Sequence, residues 1–174
     1  MKDLLLVIDM QNDFIDGALG TKEAAAIVPN VIRRIEEFEG EVLYTRDTHF
    51  EDYLKTQEGR NLPVPHCIKG THGWELRKEL KALCEARRSP VLDKITFGAS
   101  KLPEFLKERY PEGLASVELI GLCTDICVIS NAMILKAFFS ELPVSVTASC
   151  CAGVTPESHE NALNAMKMCQ ITVR

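Results

Sequence analysis

The stretch SVELIGLCTDICVISNAM, residues 116–133, decides the fold. Its first seven residues form a nearly continuous apolar run, the mark of a strand buried on both faces of a parallel sheet. GLCTD then turns the chain, and residues 125–139 read as a strongly apolar helix. A strand feeding directly into a helix is the building step of an α/β protein. The turn carries Cys123 and Cys127. They could form a metal pair, a redox pair, or one nucleophile beside a bystander.

Runs of the same kind recur outward from this stretch: LLLVID (4–9), EVLYTRD (41–47), PVLDK (90–94), PVSVTA (143–148) and QITV (170–173). Helical periodicity fills the intervals. In residues 23–38, Ala26, Ile27, Val31, Ile35 and Phe38 fall on one stripe. Residues 102–109 are amphipathic. Residues 157–168 bring Ala162, Leu163, Ala165 and Met166 together behind Thr155 as cap and Pro156 in the first turn. The alternation predicts an α/β chain with a parallel sheet, in a single domain spanning residues 1–174. Residues 48–74, THFEDYLKTQEGRNLPVPHCIKGTHGW, break the pattern as a long irregular insertion holding three of the four histidines. Long loops at the carboxyl end of a strand usually carry function.

With 174 residues and 46% hydrophobic content the chain can bury one substantial core. A net charge of −5 without a basic block argues against nucleic acid or an anionic membrane as partner. The first apolar run is too short, and too closely flanked by acids, for a signal peptide or a membrane span. The seven cysteines are therefore expected to be reduced in a cytoplasm.

Ligands of parallel α/β sheets bind beyond the carboxyl ends of the strands. Four of the predicted strands place Asp9, Asp47, Lys94 and the Cys123–Cys127 segment there. A cysteine in the first turn of a helix meets unpaired N–H groups and the positive end of the helix dipole, which favour thiolate. The same N–H groups can hold an oxyanion. Cys150 and Cys151, adjacent near a strand end, should point to opposite faces and make a poor chelate or redox pair.

DMQNDF (9–14), KITFGAS (94–100), GLCTDICV (121–128) and SCCAGVTPESHENAL (149–163) resemble, in this order, the isochorismatase-like cysteine hydrolases. The resemblance implies a three-layer α/β/α sandwich on a six-stranded, mostly parallel sheet. It implies a catalytic triad of Asp9, Lys94 and Cys127, with an oxyanion hole from the backbone of Cys123 and Cys127 and a cis peptide at Leu122–Cys123. It also implies a small-molecule substrate and an oligomer, for which Phe138 and Phe139 are candidate interface residues if they are not core. A true isochorismatase cleaves a vinyl ether without a nucleophilic cysteine, so Cys127 points to an amidase.

Within that family the pattern is similar to the nicotinamidases, which carry a divalent metal. Asp47 and His49, two apart at a strand end, project the same way. With Glu58 and His66 they make a reasonable set for Zn, Fe or Mn, and Asp52 is a rival to Glu58. Nicotinamidases place an aromatic wall three residues before the second metal histidine, where this chain has Pro63. Phe14 keeps the other wall, and Trp74 is the candidate replacement. The implied reaction is hydrolysis of a small carboxamide, nicotinamide first, through a thioester. Two alternatives stay open: a metal-independent amidase of carbamoyl or ureido compounds, and a non-catalytic thiol or metal sensor.

Overall fold

Alternation inside the apolar runs builds two cores from one sheet. In the computed structural model, which describes residues 1–174, β1 (Lys2–Ile8) sends Leu4, Leu6 and Ile8 to one face and Leu5 and Val7 to the other. All five are fully buried, so the strand has no polar face to show in its sequence. α1 (Asn12–Ile15) and α2 (Lys22–Glu37) follow, then β2 (Glu41–Asp47). The insertion holds a 3-10 turn (Tyr53–Lys55) and the short helix α3 (Gln57–Asn61), and α4 (Lys78–Arg87) leads into β3 (Val91–Lys94). α5 (Leu102–Arg109), β4 (Leu114–Leu122), a π-turn (Thr124–Val128), α6 (Ile129–Phe138), β5 (Val144–Ala152), α7 (Pro156–Met168) and β6 (Thr172–Val173) complete the chain.

The six strands are all parallel, in the order β3-β2-β1-β4-β5-β6. One core packs α5, α6 and α7 on the sheet through Leu102, Leu106, Val128, Ala132, Leu135, Leu163 and Met166. The other packs α2 and α4 through Ala24, Ile27, Val31, Ile35, Leu80 and Cys84. This is the three-layer α/β/α sandwich that the sequence implies. No helix is long and apolar enough to cross a membrane.

The chain runs β1, β2, β3 toward one edge and then crosses back to place β4 on the far side of β1. The order therefore reverses between β1 and β4, the crevice where such sheets bind ligands. Gly121 lets those two strands close up. Its φ is +118°, and a Cβ there would lie 2.1 Å from the Ile8 carbonyl oxygen, so only glycine fits.

Three local readings change. The stripe of α2 is Ala24, Ile27, Val31 and Ile35, while Ala26 is exposed and Phe38 is the half-buried residue ending the helix. α4 escapes the periodicity because only Leu80 and Cys84 of its ten residues are buried, and Arg77 at its start makes no side-chain cap. The helix expected from residue 125 begins instead with the π-turn, in which the Val128 N–H reaches back five residues to the Cys123 carbonyl at 3.0 Å. Such turns concentrate at functional sites. Cys150 and Cys151 do face opposite cores. Phe138 is 59% exposed, whereas Phe139 packs partly against the core.

Candidate active site

Asp9 ends β1 in a left-handed conformation (φ 46°), which aspartate tolerates better than most side chains. Asp47 and Lys94 stand side by side at the ends of β2 and β3, as register partners. Cys123 and Cys127 leave β4 through the π-turn, after a cis peptide at Leu122–Cys123. The topology thus gathers residues far apart in sequence at the reversal between β1 and β4.

Lys94 Nζ lies 2.7 Å from Asp9 Oδ2, 3.0 Å from Asp47 Oδ1 and 3.3 Å from Cys127 Sγ. Thr45 donates its hydroxyl to Asp9 Oδ1 at 2.6 Å and accepts from the Asp9 N–H at 3.2 Å. Asp9 Oδ2 is the oxygen that faces the Lys94 ammonium, and the same carboxylate is near enough to the Cys127 thiol to raise it. All five residues are buried.

Burial sets the electrostatics. It pushes the Cys127 thiol well above the usual cysteine value, with the Asp9 charge adding and Lys94 opposing. This reverses the thiolate expected from the helix start: desolvation outweighs the attraction of one cation. Burial also raises Asp9, helped by the charge of Asp47 and resisted by Lys94. Lys94 itself is pulled down by burial. The charges of Asp9 and Asp47 outweigh that pull and hold it well above the usual lysine value. The result is a neutral thiol, a strengthened carboxylate base and a fixed cation. Cys123 is pushed up to about 12 by burial, with Asp125 and Asp9 adding.

A second cluster adjoins the first through Asp47. One ligand-type atom each from Asp47, His49, Glu58 and His66 lies within 4.8 Å of the others. Asp47 Oδ2 is 2.9 Å from His49 Nε2 and 3.7 Å from His66 Nε2, and Glu58 Oε1 is 3.5 and 3.6 Å from the same two nitrogens. His66 Nδ1 donates to the Val64 carbonyl at 2.8 Å, the arrangement that turns an Nε2 lone pair toward a metal. His49 Nε2 is buried without a directed hydrogen bond. Two imidazoles and two carboxylates around one point fit a divalent cation of the Zn, Fe or Mn type. Tyr53 wedges its buried ring against both histidines, with centroids at 4.7 and 5.1 Å. Asp52 is exposed and stays outside the group, which Glu58 joins.

A cleft of about 460 Å³ opens over both clusters, lined by Phe14, Leu19, Asp47, Gln57, Glu58, Asn61, Leu62, His66, Ile95, Thr96, Phe97, Cys123, Ile126 and Cys127. A roomier cavity of about 640 Å³ lies at the amino ends of β4 and β5, around Leu106, Tyr110 and Phe138. The smaller cleft is the candidate site because a buried acid, base and thiol converge there.

Trp74 does not line the cleft. Its indole donates to Thr48 Oγ1 at 2.9 Å and stacks under the Arg46 guanidinium, 3.7 Å from the ring centroid. Pro63 is exposed, and its neighbour Leu62 supplies the wall instead. Phe97 adds the aromatic face that Trp74 does not. It stands inside the KITFGAS motif, so the sequence held a signal for it. Thr45 was also legible, two residues before Asp47 and so on the same strand face. Ile95 and Ile126 stand inside KITFGAS and GLCTDICV in the same way, whereas Leu19 carries no such signal. His159 lies 2.7 Å from Thr124 Oγ1 and buttresses the π-turn from α7.

The Isochorismatase domain family model matches residues 3–174. An uncharacterized isochorismatase family protein, PncA, of Bacillus subtilis (strain 168) is 31% identical over 177 residues, covering 94% of this chain and 93% of that one. The crystal structure of nicotinamidase PncA from Bacillus subtilis superposes with a TM-score of 0.84 at 29% identity, covering 99% of each chain. That of the pyrazinamidase of Pyrococcus horikoshii in complex with zinc superposes with a TM-score of 0.79 at 27% identity, covering 100% of this chain and 99% of the other. Motif order, sheet topology and full-length similarity agree, and the chain belongs to the isochorismatase family.

Proposed function

We propose that the chain is a metal-containing cysteine amidohydrolase, converting a small carboxamide, nicotinamide in the first instance, to the carboxylate and ammonia through a thioester. The observation that carries this reading is the single lysine ammonium, 2.7 Å from Asp9 and 3.3 Å from Cys127, buried beneath a cleft lined by three of the four metal-type donors, Asp47, Glu58 and His66. The similarity to a nicotinamidase and to a zinc-bound pyrazinamidase supports the substrate class.

Asp9 accepts the Cys127 proton as the sulfur attacks the amide carbonyl carbon, and Lys94 neutralises the developing charge. The carbonyl oxygen becomes an oxyanion facing the backbone N–H groups of Cys123 and Cys127. The Cys123 N–H makes no backbone hydrogen bond that would compete. When the C–N bond breaks, Asp9 returns the proton to the leaving nitrogen and ammonia departs. Asp9 then takes a proton from water attacking the thioester. The C–S bond breaks, Asp9 passes its proton to the sulfur to restore the thiol, and the acid formed leaves as carboxylate after giving its proton to solvent. Phe14 and Phe97 hold the ring of the substrate between apolar faces. Asp47, His49, Glu58 and His66 would hold one divalent ion, which when bound anchors a ring nitrogen or a water. A metal-free reaction on a ureido compound would leave that four-donor group without a task.

The test is ammonia release from a panel of small carboxamides, nicotinamide and pyrazinamide first, on metal-replete and chelated protein. Cys127→Ala should lower turnover by about a thousand-fold or more while keeping its metal. His49→Ala should lose metal and raise KM. Full activity in Cys127→Ala would end the nucleophile assignment.

A further inference from the structure

The segment Gln11-Asn12-Asp13 lies inside the DMQNDF motif between Asp9 and Phe14, and the proposed reaction uses none of its three side chains. All three nevertheless reach into the insertion or its stem. Gln11 Nε2 donates to the Asp47 and Trp74 carbonyls, both at 2.8 Å, and Gln11 Oε1 accepts from the Asp47 N–H at 2.7 Å. Asn12 donates to the His72 carbonyl at 2.8 Å, and Asp13 accepts from the Cys67 N–H at 2.7 Å.

The Gln11 contacts have a topological cause. The ladder between β1 and β2 stops at Val7–Tyr44, because β1 ends and the chain turns at Asp9. β2 continues to Asp47. Along β2, Tyr44 and Thr48 donate their N–H groups to the Pro90 and Lys94 carbonyls on the β3 side. Asp47, in the opposite phase, therefore turns its N–H and C=O to the side that β1 has left. Buried backbone groups of that kind need partners. The amide of Gln11 supplies one donor and one acceptor together, standing in for the missing strand. Its side chain is fully buried and all its hydrogen-bonding roles there are met.

Asp47 is the residue whose placement matters to both clusters. One carboxylate oxygen faces Lys94 at 3.0 Å, and the other faces His49 at 2.9 Å. We propose that Gln11 is a positioning residue: it fixes the Asp47 backbone so that the carboxylate serves the Lys94 ion pair and the metal-type donor group at the same time. The inference rests on the reading of Asp47 given above, and it adds a residue that touches neither substrate nor metal. A shift of about 1 Å in such a support is enough to loosen a site without unfolding its scaffold.

The experiment compares the parent, Gln11→Leu, Gln11→Glu and a distant control, Thr155→Ala, for zinc affinity by chelator competition, kcat and KM for nicotinamide, and melting temperature without metal. Gln11→Leu keeps the bulk and loses both roles. Gln11→Glu keeps the acceptor and sets a carboxylate against two carbonyl oxygens. Zinc affinity should fall by about 10- to 100-fold in both, with a lower kcat. Thr155→Ala should lose stability and keep the parent affinity. A folded Gln11→Leu with the parent's zinc affinity and kcat/KM overturns the proposal. Should Gln11→Leu not fold, Gln11→Glu carries the test alone, and failure of both to fold assigns the amide to the fold as a whole and overturns the proposal. A parent that turns over amide without binding zinc ends the metal reading only, and the variant-to-parent ratio of kcat/KM then decides. A parent that does neither removes both claims.

Discussion

At the residue scale, burial sets the chemistry. Asp9 and Cys127 are both raised, so the proton they share is better matched than between a solvated acid and a solvated thiol. The sign of the pH dependence follows. Protonated Asp9 cannot accept from the thiol, so kcat/KM should rise with pH through the Asp9 titration, and that acid limb should lie above the ordinary aspartate value of about 3.9. Thr45→Val removes a hydrogen bond that favours the Asp9 carboxylate, and should move the limb further up. A limb at the solvated value, or one that moves down in Thr45→Val, would show that another group is being read. The two cysteines of the turn should also separate. Iodoacetamide, which is itself a small carboxamide, should label Cys127 well before Cys123, with exposed Cys169 as the internal standard. Equal labelling of Cys123 and Cys127 in a peptide map would undo the assignment.

At the scale of elements, two junctions hold the site. The first is the close approach of β1 and β4 at Gly121. Gly121→Ala would drive a Cβ into the Ile8 carbonyl at a φ that alanine resists, and should cost about 3 kcal/mol or more by urea denaturation. A loss below 1 kcal/mol would mean that the strands part easily there. The second is the start of α7, where Thr155 and Ser158 form a capping box and His159 reaches Thr124. Thr155→Ala should cost about 1 kcal/mol of stability and leave kcat nearly unchanged, because the cap supports the helix and not the reacting groups. A large fall in kcat at constant stability would instead place α7 in the catalytic machinery.

At the scale of the whole molecule, the donor group closes the insertion onto the sheet. Asp47 and His49 come from the end of β2, Glu58 from α3 and His66 from the far limb of the insertion. A cation bound only by the folded chain stabilises it by mass action, about 2.7 kcal/mol at a free concentration of 100 Kd. Removing metal with a chelator should therefore lower the melting temperature of the parent and leave that of a His49→Ala, His66→Ala double variant unmoved. An equal drop in both would assign the effect to some other site.

Much of this was legible in the chain alone. Continuous apolar runs alternating with helical periodicity determine a parallel sheet covered on both faces, because only strands buried on both sides read that way. Asp9, Asp47, Lys94 and the Cys123–Cys127 segment stand out just where apolar runs end. α4 was not legible, since two buried side chains in ten leave almost no periodicity. That Glu58 and not Asp52 joins the donor group was not legible either, because both lie in one irregular loop and only its folding turns one carboxylate inward. Trp74 was the candidate replacement for the aromatic wall that the resemblance implies, yet Thr48 and Arg46 hold it outside the cleft. The raised thiol of Cys127 depends on a desolvation that no local pattern records. Sequence determined which groups stand at the strand ends, because periodicity is local. Tertiary structure decided which of them share one buried space, because strand order and burial are properties of the packed sheet.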